Sequence, residues 1–559
     1  MNNKSNKNLQ SYLSIEEHES GFNYKKKSNL KILFNRVAFI FFVFLILSII
    51  FSIKAIYLGS INNDLSKKIV NNVFRSSIVD RNGNILAKSV FINNAGVNPN
   101  LVINKEKLLL NLRLIFPEKK ESDFQKIKNK LNKKKFFYIK KKINQEQLDK
   151  LVLLGDKSII TEQKISRVYP HENLFSHIIG QIDNDNIGIS GIEKSFDKEL
   201  KTNANSIKLT VDTHIQYLIR EELRKSVEIF KNIGSAALLM NINSGDVLSL
   251  VSLPDFNINK RKDIKDLNFT NKITKGIYEL GSVFKTLTLA AAFQNNILEP
   301  DTSFEKLEKK IYCGKFSIAE YDDKLPSNLT AEQILVRSSN IGSVRIAQQV
   351  GIDEYSSFLK KIGILEKISF DIDEVGEPLD FRWGKCKLAT ASFGHGIATT
   401  PIQLAKAYSI ISNGGYLISP RLVNTDYKPI NKKILNNDVS KKINPILRKV
   451  VSTKEGTAHF ADVKGYEVGG KTGTADKVKN GKYTKDKINT FVSVFPISDP
   501  KYLLLVLLDE PKPSKDYIYE YRDGRLPYKG NWRNTAGWTT VLIAGNIIEN
   551  IGPILATKY

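Results

Sequence analysis

The chain has 559 residues, 42% hydrophobic and 25% charged, so most of it reads as globular, and its length predicts at least two folded units. Its formal net charge is +26, but the lysines are spread along the whole chain and accompany no DNA- or RNA-binding pattern, so we expect no nucleic-acid partner. Its two cysteines, Cys313 and Cys386, exclude a disulfide framework and a cysteine-rich metal site, and leave open one disulfide or two free thiols.

The first predicted element is a membrane anchor. Residues 37–53 are apolar and uncharged, and residues 55–58 extend this run past Lys54, whose long side chain can reach the interface. Residues 1–36 are rich in Lys and Arg, which predicts a cytoplasmic tail, a transmembrane helix at 37–58 and an exterior remainder. The run is long and no A-x-A-like site follows, which favours an uncleaved anchor over a cleaved signal peptide. No second run of comparable length appears, so we expect a single-pass protein.

Residues 59–208 form the next predicted unit. Near its start, Asn82-Gly83 predicts a tight hairpin turn between short strands. The lysine-rich stretch 104–150 has the pattern of amphipathic helix and strand with solvated lysines. Glycines punctuate the segment 167–193, which is typical of loops around a fixed core.

Residues 209–555 have a more regular pattern. A helix is predicted over Thr213 to Phe230, and hairpins are predicted around residues 243–246 and 497–500. Mostly helices lie between the two hairpins. The fold class is therefore α/β of the α+β type, with a central antiparallel sheet flanked by helices.

The first chemical motif is Ser282-Val283-Phe284-Lys285, before an apolar helical run. Ser282 is predicted in the first turn of that helix, with Lys285 on the same face. Serine becomes a nucleophile when a base takes its proton, and a lysine can be that base if burial lowers its pKa. Alone the motif is weak, because an N-capping serine followed by an ordinary lysine explains most such matches.

The second motif is Ser338-Ser339-Asn340, between two predicted helices. Thr330 and Gln333 have capping-box spacing at the start of the first helix. A loop there can direct Ser338 and Asn340 into a cleft, where Ser338 would relay a proton and Asn340 would bond Lys285 or a substrate amide. By itself, the motif is better explained as a polar turn.

The third motif is Lys471-Thr472-Gly473-Thr474, predicted on an edge strand facing the cleft. Lys471 and the threonine hydroxyls can hold a carboxylate, and Gly473 leaves room for a substrate backbone. The backbone N–H groups of Ser282 and Thr474 can form an oxyanion hole. The order of the three motifs makes an isolated glycine-rich turn the weaker reading.

Neither a metal nor a cofactor is expected. No ligand spacing such as H-E-x-x-H surrounds the histidines, and no P-loop is present. Structural or surface positions are therefore predicted for His177, His214, His395 and His459.

The three motifs, the anchor and the module before residue 209 together resemble a class B penicillin-binding protein. The resemblance extends to RSSIVDRNG at 75–83 and RVYP at 167–170, although Ser76 stands where the family usually has glycine. It implies a D,D-transpeptidase that cross-links peptidoglycan stem peptides through acyl-Ser282 and is inhibited by β-lactams. The chain length and the ELGSVFK and GHG variants look most like the division-specific, septal member from a Gram-negative lineage.

The resemblance also implies partners and a location. It implies a polytopic glycosyltransferase and other division proteins, since no glycosyltransferase module fits before residue 209, and a catalytic domain in the periplasm with the anchor in the inner membrane. The elongation-specific paralogue is the first alternative. A non-catalytic penicillin sensor or scaffold, and a hydrolase of the same superfamily, remain further alternatives.

Overall fold

The computed structural model describes residues 24–60, 74–260, 269–314, 316–425, 431–479 and 481–558. The chain divides into two compact units, residues 1–71 and 72–559. The first contains one long described helix, α1 (Tyr24–Ser60). Its segment Arg36–Tyr57 is fully exposed and is long and apolar enough to cross a membrane. This agrees with the predicted anchor, and the helix extends beyond the apolar run at its N-terminal end.

The second unit begins with a mixed sheet. Its strands are β1 (Ile78–Val79), β2 (Ile85–Val97), β3 (Phe137–Ile143), β4 (Ile159–Val168) and β5 (Ile207–Lys208). The order is β3-β2-β1-β5, with β4 also on β2, and only the β1 and β5 pair is parallel. The predicted turn at Asn82-Gly83 joins β1 to β2, where the Gly83 N–H donates to the Asp80 carbonyl.

Helices surround this sheet. They are α2 (Lys105–Ile115), α3 (Glu121–Leu131), α4 (Gln145–Leu153), α5 (Ser176–Ile179), α6 (Gly191–Ser195) and α7 (Asp197–Thr202). Leu108 and Leu112 of α2, and Phe116 just after it, pack with Phe124 and Ile127 in a separate small core. The lysines of the stretch 104–150 lie mostly outside that core, as the amphipathic pattern predicts.

A buried ion cluster ties the start of this unit to α6. The Arg75 guanidinium contacts the Glu193 carboxylate at 2.8 Å, and Arg167 Nε contacts the other carboxylate oxygen at 2.7 Å. All three side chains are buried. Two guanidiniums around one carboxylate, with Asp197 also on Arg75 at 2.6 Å, give the buried charges the partners that burial demands.

The larger part of the unit follows, from α8 onward. Its helices are α8 (Thr213–Phe230), α9 (Phe284–Gln294), α10 (Ala331–Val336), α11 (Asn340–Val350), α12 (Ile352–Lys361), α13 (Lys385–Ala391), α14 (Pro401–Ser412), α15 (Asn437–Ser452) and α16 (Thr540–Lys558). Its strands are β6 (Gly234–Asn241), β7 (Val247–Leu253), β8 (Ser303–Phe304), β9 (Lys310–Cys313), β10 (Phe316–Ala319), β11 (Leu329–Thr330), β12 (Gly469–Lys479), β13 (Lys482–Phe495), β14 (Tyr502–Asp509), β15 (Ile518–Tyr519) and β16 (Tyr528–Lys529).

The central sheet is antiparallel, in the order β12-β13-β14-β6-β7, which confirms the predicted sheet and places β12 at its edge. Both predicted hairpins form within it, β6 with β7 and β13 with β14. The buried strands β6, β7 and β14 read as nearly continuous apolar runs because both faces of the sheet are covered by helices.

The C-terminal helix α16 is also long and apolar enough to span a membrane by length and composition. It instead packs against α8 and β14, and 67% of its apolar window is buried inside the fold. Its apolar character therefore serves the core of the second unit.

The two cysteines meet in a disulfide, which answers the question that the sequence left open. Cys313 ends β9 and Cys386 lies in the first turn of α13, with their Cα atoms 5.4 Å apart. The bond ties the β9–β10 hairpin to α13. Ile318 of the same hairpin packs on Val344 of α11 and Ala389 of α13.

Candidate active site

Ser282 lies in a 3-10 turn, Gly281–Val283, that runs directly into α9. It is half-buried, whereas the rest of the turn is buried. The fully buried Tyr408 of α14 donates its hydroxyl to the Val283 carbonyl at 2.7 Å and lies 2.9 Å from Thr286 Oγ1. The start of α9 is therefore held in place by a side chain of α14.

Lys285 follows one turn later and is 2% exposed. Its Nζ donates to the Ser338 carbonyl at 2.5 Å and to Ser338 Oγ at 3.1 Å. Burial lowers the pKa of Lys285 to about 7, and the Glu320 carboxylate opposes that shift. A large fraction of this amine is therefore neutral at neutral pH, which a general base requires.

The second motif occupies the turn between α10 and α11, and the predicted capping box of Thr330 and Gln333 begins α10. Ser338 has a φ of +60°, in the left-handed region that non-glycine residues rarely adopt. Ser339 caps α11 by accepting the Gly342 N–H at 2.9 Å. The turn thus directs the Ser338 hydroxyl and carbonyl toward Lys285.

Asn340 was expected to bond either Lys285 or a substrate amide, and the first of these contacts does not form. Its side-chain amide donates to the Ala319 carbonyl at 2.9 Å, and within the described residues it forms no hydrogen bond with Lys285. The Lys285 amine is taken by the Ser338 carbonyl and hydroxyl instead. Asn340 is half-buried, so the second expected contact, with a substrate amide, stays a prediction.

Lys471 reaches the same hydroxyl from the edge strand β12. Its Nζ donates to Ser338 Oγ at 3.0 Å and to the Thr472 carbonyl at 3.1 Å. The side chain is fully buried, and burial followed by repulsion from Lys285 holds the pKa of Lys471 well below its usual value. Residues that are 53 and 133 positions apart therefore meet at one serine hydroxyl.

The backbones of β12 and the Ser282 turn are in close contact. A Cβ on Gly473 would lie 2.2 Å from the Leu280 carbonyl oxygen. A Cβ on Gly281, where φ is +66°, would lie 2.7 Å from the Thr474 carbonyl oxygen and 3.1 Å from its nitrogen. Only glycine fits at these positions. The backbones of Ser282 and Thr474 thus come side by side, as an oxyanion hole requires.

The two threonines of the third motif are held by further hydrogen bonds. Thr472 Oγ1 lies 2.8 Å from Thr457 Oγ1. Thr474 Oγ1 accepts the Ala536 N–H at 3.0 Å, which leaves its own proton available to an anion.

A mixed aromatic and acidic cluster flanks the nucleophile segment. The rings of His395 and Tyr483 stack with centroids 4.6 Å apart, and the Tyr483 hydroxyl donates to the Glu279 carboxylate at 3.0 Å. The structural or surface role of His395 stays a prediction. The buried His177 has its Nε2 2.9 Å from the Phe269 carbonyl oxygen, and burial lowers its pKa to about 4. Among the described residues, no group of three or more His, Cys, Asp and Glu is placed to hold a metal ion.

Sequence reasoning missed two residues that support the site. Tyr408 supports the Ser282 turn, and the Glu320 carboxylate accepts hydrogen bonds from Ser339 and from the N-terminal turn of α11. Neither lies in a motif, and both act over long separations in the chain. No local pattern could have shown them.

Known protein families and solved structures match both parts of the second unit. Residues 235–524 match the penicillin binding protein transpeptidase domain, and residues 70–228 match the penicillin-binding protein dimerisation domain. The crystal structure of penicillin binding protein 3 from Mycobacterium tuberculosis, complexed with aztreonam, has the same fold. Its TM-score is 0.65 at 20% identity, with 87% of this chain and 97% of that chain covered.

Curated relatives extend over most of the chain. The probable peptidoglycan D,D-transpeptidase FtsI of Caulobacter vibrioides is 28% identical, with 87% of this chain and 82% of the relative covered. FtsI of Buchnera aphidicola subsp. Schizaphis graminum is 29% identical, with 86% and 90% covered. Stage V sporulation protein D of Bacillus subtilis is 28% identical, with 87% and 79% covered. With a dimerisation domain followed by a transpeptidase domain over more than half of its length, the chain belongs to the class B penicillin-binding proteins.

Proposed function

We propose that this protein is a serine-type peptidoglycan D,D-transpeptidase of septal wall synthesis. One observation carries the proposal: the buried Lys285, one helical turn after Ser282, and the buried Lys471 both contact the Ser338 hydroxyl. Each element of acyl transfer then has a residue, namely a nucleophile, a base, a proton relay and a cationic site. The relatives named peptidoglycan D,D-transpeptidase FtsI support the substrate and the septal role.

The first half-reaction is acylation of the enzyme. Neutral Lys285 takes the Ser282 proton as Ser282 Oγ attacks the penultimate D-alanine carbonyl of a stem peptide. The oxyanion that forms lies between the backbone N–H groups of Ser282 and Thr474. When the peptide bond breaks, Ser338 passes the proton from Lys285 to the departing amine of the terminal D-alanine.

We expect only one of the two lysines to be protonated at a time. Both are buried against one hydroxyl, so burial and mutual repulsion oppose two ammonium groups there. The terminal carboxylate of a stem peptide, held by Thr472 and Thr474, supplies a negative charge near Lys471. We expect Lys471 to carry the proton in that complex and Lys285 to remain the neutral base.

The second half-reaction transfers the acyl group. The amine of a neighbouring stem attacks the acyl-Ser282 carbonyl, loses its proton to Lys285 through Ser338, and displaces Ser282 Oγ, which recovers its proton. A new amide bond cross-links the two stems. A β-lactam would acylate Ser282 by the same steps, and Asn340 would orient either ligand through its side-chain amide.

A labelled penicillin tests the chemistry. We expect the full-length protein to be acylated at Ser282 and Ser282→Ala to remain unlabelled. The wild type should also cross-link nascent peptidoglycan when a glycosyltransferase supplies the strands. An acyl-enzyme that turns over within seconds would instead identify a hydrolase. If Ser282→Ala still complements growth, the protein is a sensor or scaffold.

We further propose the setting of the reaction. A polytopic glycosyltransferase and other division proteins would meet α1 and a module at 59–208, with the transpeptidase domain at 209–555. The basic tail 1–36 favours a cytoplasmic N-terminus, an inner-membrane anchor at 37–58 and a periplasmic catalytic domain. Depletion of the protein should give filamentous cells. Rounded cells would indicate the elongation-specific transpeptidase instead.

A further inference from the structure

Glu320 lies beneath the Ser338-Ser339-Asn340 turn. One of its carboxylate oxygens accepts the Ser339 hydroxyl at 2.5 Å and the Ile341 N–H at 3.0 Å, and the other accepts the Asn340 N–H at 2.7 Å. A carboxylate placed at the first N–H groups of α11 is favoured by unpaired donors and by the helix dipole. Here it bonds every residue from 339 to 341.

This contact is additional to ordinary capping. Ser339 already caps α11 by accepting the Gly342 N–H, so the helix does not need Glu320 to begin. What needs support is the preceding residue, because the left-handed φ of Ser338 persists only if its surroundings impose it. Lys285 holds the Ser338 carbonyl from one side, and Glu320 fixes the next two residues from the other.

The segment that carries Glu320 is itself anchored. It follows β10, whose last residue, Ala319, accepts the Asn340 side-chain amide at 2.9 Å. The hairpin is joined to α13 by the disulfide between Cys313 and Cys386, and Ile318 packs on α11 and α13. Glu320 is therefore presented by a fixed element.

We propose that Glu320 is a positioning residue of the transpeptidase, which holds Ser338 and Asn340 in their working geometry and supplies the negative charge that faces Lys285. The inference rests on the proposed function. Two charged groups act on Lys285 in the described structure: Lys471 from β12 and Glu320 from the end of β10. Because Glu320 favours the ammonium form, its neutralisation lowers the pKa of Lys285.

The test compares Glu320→Gln with Glu320→Asp in the full-length protein, using the rate of Ser282 acylation by a fluorescent penicillin between pH 5 and pH 9. For Glu320→Gln we expect a plateau rate lower by about tenfold, as for a lost hydrogen bond to a charged group. We also expect its acid limb to move to lower pH. Glu320→Asp retains the charge but has a shorter reach, so it should be slower with little movement of the limb.

Glu308→Gln is the matched control, because it removes an exposed carboxylate that pairs with Arg345 of α11, the helix whose start Glu320 contacts. It should retain both rate and pH profile. Thermal melts normalise each rate to folded protein, and Glu320→Asp serves as the test if Glu320→Gln does not fold. A wild-type rate and pH profile in a folded Glu320 variant overturns the inference. Failure of the wild type itself to acylate at Ser282 would overturn the proposed function instead.

Discussion

At the scale of single residues, the chemistry depends on burial. Lysines usually lie at the surface, but Lys285 and Lys471 are buried. The Nζ atom of each contacts the Ser338 hydroxyl. Desolvation disfavours the charged form, which makes a neutral amine available near pH 7. The serine hydroxyl between them can accept from one nitrogen while donating to the other, which is the geometry of a proton relay.

The first prediction concerns pH. In the proposed mechanism Lys285 is the base and must be neutral, and with its pKa at about 7 it becomes protonated as the pH falls below that value. The acylation rate of Ser282 should therefore be flat above about pH 8 and fall about tenfold per pH unit below about pH 6. Stopped-flow acylation by a fluorescent penicillin measures this limb.

Lys285→Arg is the control for this limb. A guanidinium remains charged throughout the range, so acylation should be lower by about 10²- to 10⁴-fold and should lose its dependence near pH 7. An unchanged limb in this variant would assign the titration to another group.

At the scale of elements, the site depends on two backbones in contact. The Ser282 turn and β12 come together because Gly281 and Gly473 have no side chains. Among the described strands β12 pairs with β13 alone, so the other side of this edge strand can receive a substrate backbone next to the Ser282 turn. In the proposed oxyanion hole, the Ser282 turn and this edge strand contribute one N–H group each.

The second prediction is the effect of Gly473→Ala. Its Cβ would lie 2.2 Å from the Leu280 oxygen and 3.0 Å from Val283 Cγ1, so the Ser282 turn must move away from β12. We expect acylation slower by at least about tenfold and a loss of about 1–3 kcal/mol in the free energy of unfolding. Labelled penicillin and denaturant titration measure the two effects.

Gly384→Ala is the comparison, since its Cβ meets nothing within 4 Å and its φ of −177° is extended backbone. It should leave the acylation rate unchanged and cost at most about 1 kcal/mol of stability, because alanine is a poorer N-cap of α13 than glycine. Equal losses of acylation rate and stability in the two variants would contradict a specific role for the contact between the Ser282 turn and β12.

Much at this scale could be predicted from local pattern. The helix Thr213–Phe230, the turn at Asn82-Gly83 and the capping box at Thr330 and Gln333 follow from periodicity and turn chemistry over a few residues. The three motifs likewise supplied Lys285, Ser338 and Lys471, whose side chains the structure brings together. Contacts across the fold left no such signal: the Asn340 amide bonds Ala319, and the pairing of Cys313 with Cys386 depends on where a hairpin meets α13.

At the scale of the whole molecule, two long-range links hold the second unit together. One is the disulfide, which closes a loop with a sequence separation of 73 residues that contains the Ser338 motif. The other is the buried cluster of Arg75, Arg167 and Glu193, which joins the first residues of the unit to α6. Each constrains segments that are distant in the chain.

The third prediction concerns the disulfide. Replacing both cysteines by serine should lower the free energy of unfolding by about 4 kcal/mol, because the unfolded chain regains the freedom of a long loop. Denaturant unfolding with and without reductant measures it. Reductant should shift the wild-type midpoint and leave that of the double variant in place. A wild-type midpoint insensitive to complete reduction would contradict the prediction.

The fourth prediction is the effect of Arg75→Ala. The variant removes one of two guanidiniums from the buried Glu193 carboxylate, and the free energy of unfolding should fall by about 3–5 kcal/mol. Lys194→Ala, which removes an exposed ion pair with Asp373, should cost less than about 1 kcal/mol. Chemical unfolding of the two variants side by side gives the comparison.

The left-handed backbone of Ser338 restricts which substitutions this protein can accumulate there. The proposed relay needs a hydroxyl, and threonine is the other small residue that offers one. At a φ of +60°, however, a β-branched side chain is a steric outlier. A change to threonine should thus lose the geometry while keeping the functional group, and a change to glycine should relax the backbone while losing the hydroxyl. The proposed relay therefore has no conservative exchange available at this position.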